Sequence, residues 1–227
     1  MARVLLGDAP DFHVEPLSYP GFGTVPIHLA LGVVAGCLGV VYNRAILGTL
    51  GFVDRLHRWP VEMRAGLMGA AVALLAWFAP GVVGGGDAIT QRTLSGTETT
   101  AMLSVVFLLR FGLGPLSYAA GTPGGLFAPI LVLGSQSGLL FGNICHLWFP
   151  AVVANPTALG IVGMAAFFTA VVRAPVTGII LVTEMTASFT LLLPMLSACF
   201  AAMLVPNLLG NAPIYDSLRE RTLQRSR

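Results

Sequence analysis

A glycine- and proline-rich stretch, Gly121–Pro129 (GTPGGLFAP), has the residue types needed to bind an anion with backbone groups. A long apolar run follows at once, so the stretch predicts a turn that opens directly onto a helix. The first turn of a helix carries unpaired N–H groups and the positive end of the helix dipole. Pro129 suits that turn, because a proline there removes no intrahelical hydrogen bond.

The glycines of this stretch would leave the amide N–H groups open to an ion. Gly124 and Gly125 have no side chain to hold an ion away from the amides of Leu126 and Phe127. Two interpretations remain open: an anion site of backbone N–H groups within a membrane, and a plain re-entrant turn between packed helices. Irregular backbone at membrane depth has to be buried in protein or line a cavity in either case.

The composition predicts an integral membrane protein. Of its 227 residues, 56% are hydrophobic and only 10% are charged. A soluble domain of this length carries far more charge. The apolar runs are long and continuous, which favours helices over the alternating strands of a transmembrane barrel. The predicted fold class is therefore all-α, a polytopic membrane protein with broken and tilted helices.

Other classes of protein are not supported by the composition. The net charge of +2 is too small to predict binding to nucleic acid. Cys37, Cys145 and Cys199 lie far apart in apolar runs, so they predict buried thiols, neither a disulfide framework nor a metal site. No His-Glu-x-x-His motif and no Ser/His/Asp order is present, so we predict no enzyme and no cofactor.

The apolar runs place the helices. We predict them at about 24–52, 63–78, 101–118, 125–149, 158–172, 176–185 and 189–209, followed by a polar amphipathic helix that lies in the cytoplasm. Several of these runs are shorter than the roughly 20 residues of a full crossing. Broken helices in a transporter-like fold usually meet at a site near the midplane of the bilayer, which favours a permeation pathway over a simple anchor.

Polar residues within the apolar runs need partners inside the protein. Asn43 and Arg44 interrupt the first helix and should face protein or the membrane interface. Arg110 lies within a predicted span, where its guanidinium needs a carboxylate, a carbonyl or water, and a structural role is favoured over ion attraction. Asp87 is placed to cap a short helix that extends through Arg92. The glycine triplet before it lacks the Gly-Lys-Ser/Thr ending of a phosphate loop.

Two glycine patterns predict close packing between helices. Gly32 and Gly36 have the small-xxx-small spacing, and Gly134, Gly138 and Gly142 form a stripe on one helix face. Each pattern would let another backbone approach.

We divide the chain into a polar N-terminal loop (1–20), a membrane domain (21–210) and a C-terminal helix (211–227). The first residues are polar and acidic, unlike the basic and apolar regions of a signal peptide. Such a loop is an odd start for a membrane protein, so we expect that a preceding segment belongs to it.

Four segments, in order along the chain, resemble motifs of the CLC family of chloride channels and proton/chloride antiporters. Gly84–Gly86 resembles the family's Ser-Gly-Gly-Gly turn, and Gly124–Pro129 (GGLFAP) resembles its Gly-x-Phe-x-Pro signature. Arg173–Met185 (RAPVTGIILVTEM) is similar to its Arg-Ala-Pro-Leu-Thr-Gly-Ile-Ile-Leu-Val-x-Glu-Met segment. Pro213–Tyr215 (PIY) resembles its Pro-Leu-Tyr, just before the last helix.

The resemblance covers nearly the whole chain but only the second of the two inverted repeats that surround the family's anion path. The first-half motifs Gly-Ser-Gly-Ile-Pro and Gly-Arg-Glu-Gly-Pro are absent. In the family, these motifs carry the serine that contacts the central chloride, the gating glutamate and the proton-transfer glutamate. This chain therefore lacks all three. Glu184 lies in the second repeat's counterpart of that last segment, and we interpret it as a carboxylate paired at a helix end. We therefore expect that transport needs the missing N-terminal half.

The resemblance implies an anion site with three donors. The amides of Leu126 and Phe127 would point at a dehydrated chloride, and the Tyr215 hydroxyl would donate a hydrogen bond to the same ion. Neutral donors of this kind replace water without a full positive charge, which would hold the ion too tightly for flux. A plain interfacial aromatic side chain is the alternative interpretation of Tyr215.

The resemblance implies transport of chloride, the transported ion and not a cofactor, as a voltage-gated-type chloride channel or an H⁺/Cl⁻ antiporter. It implies that the protein crosses the cell membrane several times, and that this membrane is the bacterial inner membrane. The partners of the chain would be the lipid bilayer and a second copy of the chain. Part of that homodimer interface would fall at about 176–209. The glycine-rich loop with Phe127 and the presence of Tyr215 fit the chloride-type branch better than the fluoride-exporting one. From the short tail we expect no regulatory cytoplasmic domains.

Two alternatives to transport by this family remain open. The chain could be a non-conducting fragment or scaffold that folds or dimerises without transport activity. It could also be an unrelated secondary transporter with broken helices, if the motif matches are coincidental.

Overall fold

The computed structural model describes residues 10–15, 17, 21–55, 60–120 and 125–225. All of the regular secondary structure in these residues is helical. The α-helices are α1 Val25–Arg55, α2 Val61–Phe78, α3 Asp87–Leu94, α4 Thr100–Ala119, α5 Phe127–Trp148, α6 Pro156–Val172, α7 Pro175–Thr186, α8 Leu192–Leu208 and α9 Ile214–Arg225. Short 3-10 turns lie at Phe22–Thr24, Pro80–Val82 and Phe189–Leu191.

Four segments of the described chain are long and apolar enough to cross a membrane: Val25–Arg55, Thr100–Ala119, Phe127–Trp148 and Phe189–Leu208. Helices α6 and α7 are also apolar, but they are shorter, with 17 and 12 residues. Both are below the roughly 20 residues of a full crossing. The predicted all-α fold with broken helices is therefore confirmed.

Helix α5 packs directly on α6 through its glycine stripe. A β-carbon added to Gly134 would lie 2.7 Å from the Met164 Cα atom, and one added to Gly142 would lie 2.8 Å from the Pro156 carbonyl oxygen. No side chain fits at such distances, so the two backbones meet. The residues of α6 from 158 to 171 are all buried, which places this helix at the centre of the core.

Helices α1 and α8 meet in the same way. A β-carbon added to Gly32 would lie 2.2 Å from the Ala198 carbonyl oxygen, and one added to Gly36 would lie 2.7 Å from Val205 Cβ. The predicted small-xxx-small contact is thus confirmed, and it brings α8 against the long first helix.

The predicted N-terminal loop is described only at residues 10–15 and 17. The Phe12 side chain is buried, and its N–H donates to the Met185 carbonyl oxygen (2.9 Å). The His13 backbone and the Gln91 side chain exchange two hydrogen bonds of 2.8 Å. This part of the loop therefore packs against α3 and α7.

Two local predictions about helix α1 and helix α3 were wrong. Helix α1 is not interrupted at Asn43 and Arg44. The prediction that Asn43 faces protein is confirmed, since it is buried with carbonyl partners, whereas Arg44 is exposed. Asp87 is the first residue of α3 and not its cap, a position taken by Gly86 at φ +113°. The guanidinium of Arg92 donates to the Gly81 carbonyl oxygen and pairs with a carboxylate outside the helix.

The three cysteines differ in burial. Cys199 is buried and Cys145 is partly buried, but Cys37 is exposed on α1, so the prediction of a buried thiol was wrong there. Gly36 lies on the face of α1 that packs against α8. Cys37 is the next residue along the helix, so its side chain points away from that contact. All three are free thiols.

Candidate anion site

The start of α5 has amide N–H groups that no carbonyl of the described residues accepts from. Leu126 holds the cap position at φ −83° and ψ −12°, and its side chain is buried. The first backbone hydrogen bond of the turn runs from the Ile130 N–H to the Leu126 carbonyl oxygen (3.1 Å). Among the described residues, no acceptor pairs with the amide of Leu126 or Phe127. These amides lie at a helix start where the dipole favours an anion.

The glycines before α5 are described only in part. Gly125 is exposed, and a β-carbon added there would meet nothing within 4 Å, so the backbone is open at this point. Gly124 lies outside the described residues, and its role stays a prediction. The Phe127 ring packs edge-on against Phe168 of α6, with the ring centroids 5.8 Å apart. This contact fixes the first residue of α5 against the core.

A cavity of about 400 Å³ lies beside the start of α5. The start of α5 lines it with Gly125, Leu126 and Pro129. Polar and aromatic residues of α1 and α4 also line it: Tyr42, Arg110, Ser117 and Tyr118. The polar side chains among them are hydroxyls and a guanidinium, which can donate hydrogen bonds. A space lined by donors and apolar groups suits an anion that has lost part of its water.

Arg110 is held in place by backbone carbonyls. Its Nε donates to the Val82 carbonyl oxygen (3.1 Å) and one terminal nitrogen donates to the Gly84 carbonyl oxygen (2.9 Å). A β-carbon added to Gly86 would lie 2.5 Å from Val132 Cγ2, so the glycine turn lies directly on α5. The structural role predicted for Arg110 is confirmed: it fixes this turn over the first half of α5.

Tyr42 was not predicted as a site residue. Its side chain is fully buried, lines the cavity, and packs its ring on Phe111 and Phe167 at centroid distances of 5.2 and 5.8 Å. Its hydroxyl has no hydrogen-bond partner among the described residues. A β-carbon on Gly114 would lie 2.5 Å from that oxygen. The available signal was a tyrosine inside an apolar run, which periodicity alone does not separate from core packing.

Tyr215 lies at the second position of α9, after the buried Ile214. It is 46% exposed and is not among the residues that line the cavity. Burial raises the pKa of its phenol above the usual value, and the charge of neighbouring Tyr118 raises it further. Tyr118 also lines the cavity with Leu126. A shared ion between Tyr215 and the α5 amides stays a prediction.

The sequence predicted a paired carboxylate at Glu184. It is exposed, and no cation pairs with it in the part of the chain that the structure describes. It lines a smaller cavity of about 300 Å³ with Asp11, Phe127 and Met185. The side of Phe127 that faces this cavity is therefore lined by acidic groups, which disfavour an anion there.

The fold and the site define a class of protein: a polytopic helical membrane protein with broken helices and, at a half-buried helix start, amides that lack an acceptor among the described residues. The family model described as "Voltage gated chloride channel" matches residues 1–207. The chain therefore belongs to the voltage-gated chloride channel family, the CLC family that the four motifs indicated. Its predicted location as a multi-pass protein of the cell membrane is confirmed.

Among curated relatives, the H(+)/Cl(-) exchange transporter ClcA of Cronobacter sakazakii is 36% identical over 226 residues, which cover 97% of this chain and 48% of that protein. The ClcA of Salmonella typhimurium is 35% identical over 224 residues, with 97% and 47% covered. The chain thus spans about half the length of the curated relatives it matches. Both relatives are named as transporters.

Solved structures give the same result for the fold. A slow cyanobacterial Cl⁻/H⁺ antiporter superposes with a TM-score of 0.91 at 31% identity, covering 98% of this chain and 52% of that one. A CLC-type fluoride/proton antiporter superposes with a TM-score of 0.71 at 19% identity, covering 88% and 49%. The second match shows the fold alone. Both agree with the prediction of one repeat, about half of a CLC subunit.

Proposed function

We propose that this chain supplies the C-terminal half of a chloride pathway in a bacterial inner membrane. One observation carries the proposal: the Leu126 and Phe127 amides have no acceptor among the described residues and lie at a half-buried helix start, in a chain that belongs to the chloride channel family. An anion that leaves water needs donors to replace its hydration shell, and two amides supply them without a full charge. The relatives' name favours exchange of chloride against protons over a passive channel.

The Tyr215 hydroxyl is the third donor in this proposal, and Gly124 and Gly125 leave the ion room to approach. Its support is the place of Tyr215 at the second residue of α9, in a chain that aligns over 97% of its length with a ClcA relative. Chloride is the transported substrate, so neither a cofactor nor an enzymatic step enters the proposal. The boundaries of the polar loop (1–20), the membrane domain (21–210) and the terminal helix (211–227) belong to the same proposal.

We also propose that transport takes place in a homodimer and needs the half of the fold that this chain does not match. Exposed apolar side chains on α7 and α8, such as Val176, Ile180, Leu196 and Phe200, support a partner on this face. They would equally suit lipid, so cross-linking has to distinguish the two. A disulfide between copies carrying Ile180→Cys, in a background with the three native cysteines replaced by serine, supports the dimer; its absence argues for lipid.

Chloride efflux from proteoliposomes tests the transport itself. The chain is reconstituted alone and with the N-terminal half of the ClcA of Cronobacter sakazakii, and chloride and proton fluxes are recorded together. We expect chloride flux from the pair, accompanied by protons in the opposite direction, and none from the chain alone. No flux from a folded pair contradicts the proposed function. Flux from the chain alone contradicts only the need for the other half.

A further inference from the structure

Two consecutive backbone carbonyls just before Tyr215 are held by side chains from other helices. The Asn211 carbonyl oxygen accepts from the Arg173 guanidinium (2.5 Å), and the Ala212 carbonyl oxygen accepts from Asn43 Nδ2 (3.4 Å). These contacts join residues far apart in the chain. They fix the segment that leads into α9 from both sides.

Arg173 binds the turn at 207–211 with the two terminal nitrogens of its guanidinium. Its Nε donates to the Ala170 carbonyl oxygen (3.3 Å), and a terminal nitrogen donates to the Asn207 side-chain oxygen. Its backbone has φ +66°, in the left-handed region that a non-glycine residue rarely adopts, and it ends α6. This strained backbone conformation at the end of α6 lets the guanidinium contact both ends of the turn at 207–211.

Asn43 forms the second part of this clamp. Its side chain is 1% exposed in the middle of α1 and also donates to the Val171 carbonyl oxygen (3.4 Å). One buried amide group thus joins the end of α6 to the residue before Pro213. A polar side chain buried in an apolar helix is costly unless it is hydrogen-bonded, so this position has a specific structural purpose.

The start of α9 depends on this clamp. Helix α9 has only 12 residues, and Ile214 is its fully buried residue. Its far end is attached separately, because Arg221 donates to the Leu47 carbonyl oxygen and pairs with Asp54 of α1. Moving the clamp would therefore shift the beginning of α9, and Tyr215 with it, while the far end stays attached.

We propose that Arg173 and Asn43 are positioning residues that set where the Tyr215 hydroxyl lies relative to the amides at the start of α5. The inference rests on the proposed function for its consequence, because the clamp matters to chloride only if Tyr215 contacts the ion. Arg173 and Asn43 do not touch the ion themselves. They couple the end of α6, which packs on α5, to the loop that carries the phenol.

Fluorine NMR of the detergent-solubilised chain labelled with 3-fluorotyrosine tests this directly. The chain has four tyrosines, so four resonances are expected, and loss of one in Tyr215→Phe assigns Tyr215. We expect Arg173→Gln and Asn43→Leu to shift or broaden the Tyr215 resonance. Arg221→Gln is the matched control, since it removes an arginine that holds the other end of the same helix. It should leave that resonance unchanged.

A chloride titration of the same resonance separates the inference from the proposed function. The labelled chain is reconstituted with the unlabelled N-terminal half of the ClcA of Cronobacter sakazakii. In this parent pair chloride should shift the Tyr215 signal, and Arg173→Gln should weaken the apparent affinity about tenfold. If the variants lower the Tm but leave the Tyr215 signal and its chloride response unchanged, the role is merely structural and the inference is overturned. If the variants move the signal but chloride never does, the positioning holds and the chloride contact at Tyr215 is contradicted. Arg173→Lys serves where Arg173→Gln does not fold.

Discussion

Gly138 of α5 lies against the Leu159 carbonyl oxygen of α6, so closely that a β-carbon added to the glycine would be 2.2 Å from that oxygen. The contact is between two backbones and leaves no room for relaxation of a side chain. It sets the position of α5 against the central helix. The start of α5, with the Leu126 and Phe127 amides, is therefore placed by a glycine eleven residues further along the same helix.

Gly138→Ala should lower the thermal stability of the chain in detergent. The added methyl group has to push α5 away from α6, at a cost of about 1–3 kcal/mol. Gly48→Ala is the matched control, because it also lies in a helix and an added β-carbon there meets nothing within 4 Å. It should be neutral or stabilise by up to about 1 kcal/mol. Equal Tm values for the two variants would contradict the close packing.

Arg110→Lys should loosen the glycine turn that lies over α5. A lysine ammonium cannot donate to the Val82 and Gly84 carbonyl oxygens with the geometry of a guanidinium. We expect a loss of about 1.5–3 kcal/mol in unfolding free energy, and faster hydrogen exchange at residues 84–90 in mass spectrometry. Unchanged exchange in this segment would show that the arginine does not hold the turn.

Tyr42→Phe should leave stability unchanged or raise it. The hydroxyl is buried without a partner among the described residues, so its removal gives up no hydrogen bond and relieves the cost of burying a polar group. Tyr42→Leu should lower the Tm, because it removes the ring that packs on Phe111 and Phe167. A large loss in Tyr42→Phe would indicate that the hydroxyl binds a group in the cavity.

Tyr215→Phe should weaken chloride binding roughly tenfold to hundredfold, since it removes a hydrogen bond to an ion but keeps the ring. The pKa of the Tyr215 phenol is raised by burial and by Tyr118, so the neutral donor persists as the pH rises through the ordinary tyrosine pKa of about 10. Chloride binding should therefore decline only above that pH. A decline near neutral pH, or a profile unchanged in Tyr215→Phe, would assign the titration to another group.

The sequence was sufficient for the helices and the glycine contacts, since both follow from periodic apolar positions and small residues at fixed spacing. It was also sufficient for the family, because short motifs such as Arg173–Met185 and Pro213–Tyr215 retain their order. Interactions between distant residues could not be predicted. Nothing in the sequence around Asn43 indicates that it meets the Ala212 carbonyl oxygen, since that contact depends on how α1 packs. The same holds for the exposure of Cys37.

The central claim is that the backbone amide at the first residue of α5 binds chloride. Replacing Phe127 by its α-hydroxy acid converts that amide to an ester, which removes the N–H and preserves the side chain. Phe127→Leu is the complementary control, since it changes the ring and keeps the N–H. Chloride affinity is measured by titration calorimetry on the reconstituted pair of halves. We predict a loss of roughly tenfold to hundredfold for the ester and a much smaller change for Phe127→Leu. Unchanged affinity in the folded ester protein would contradict the account.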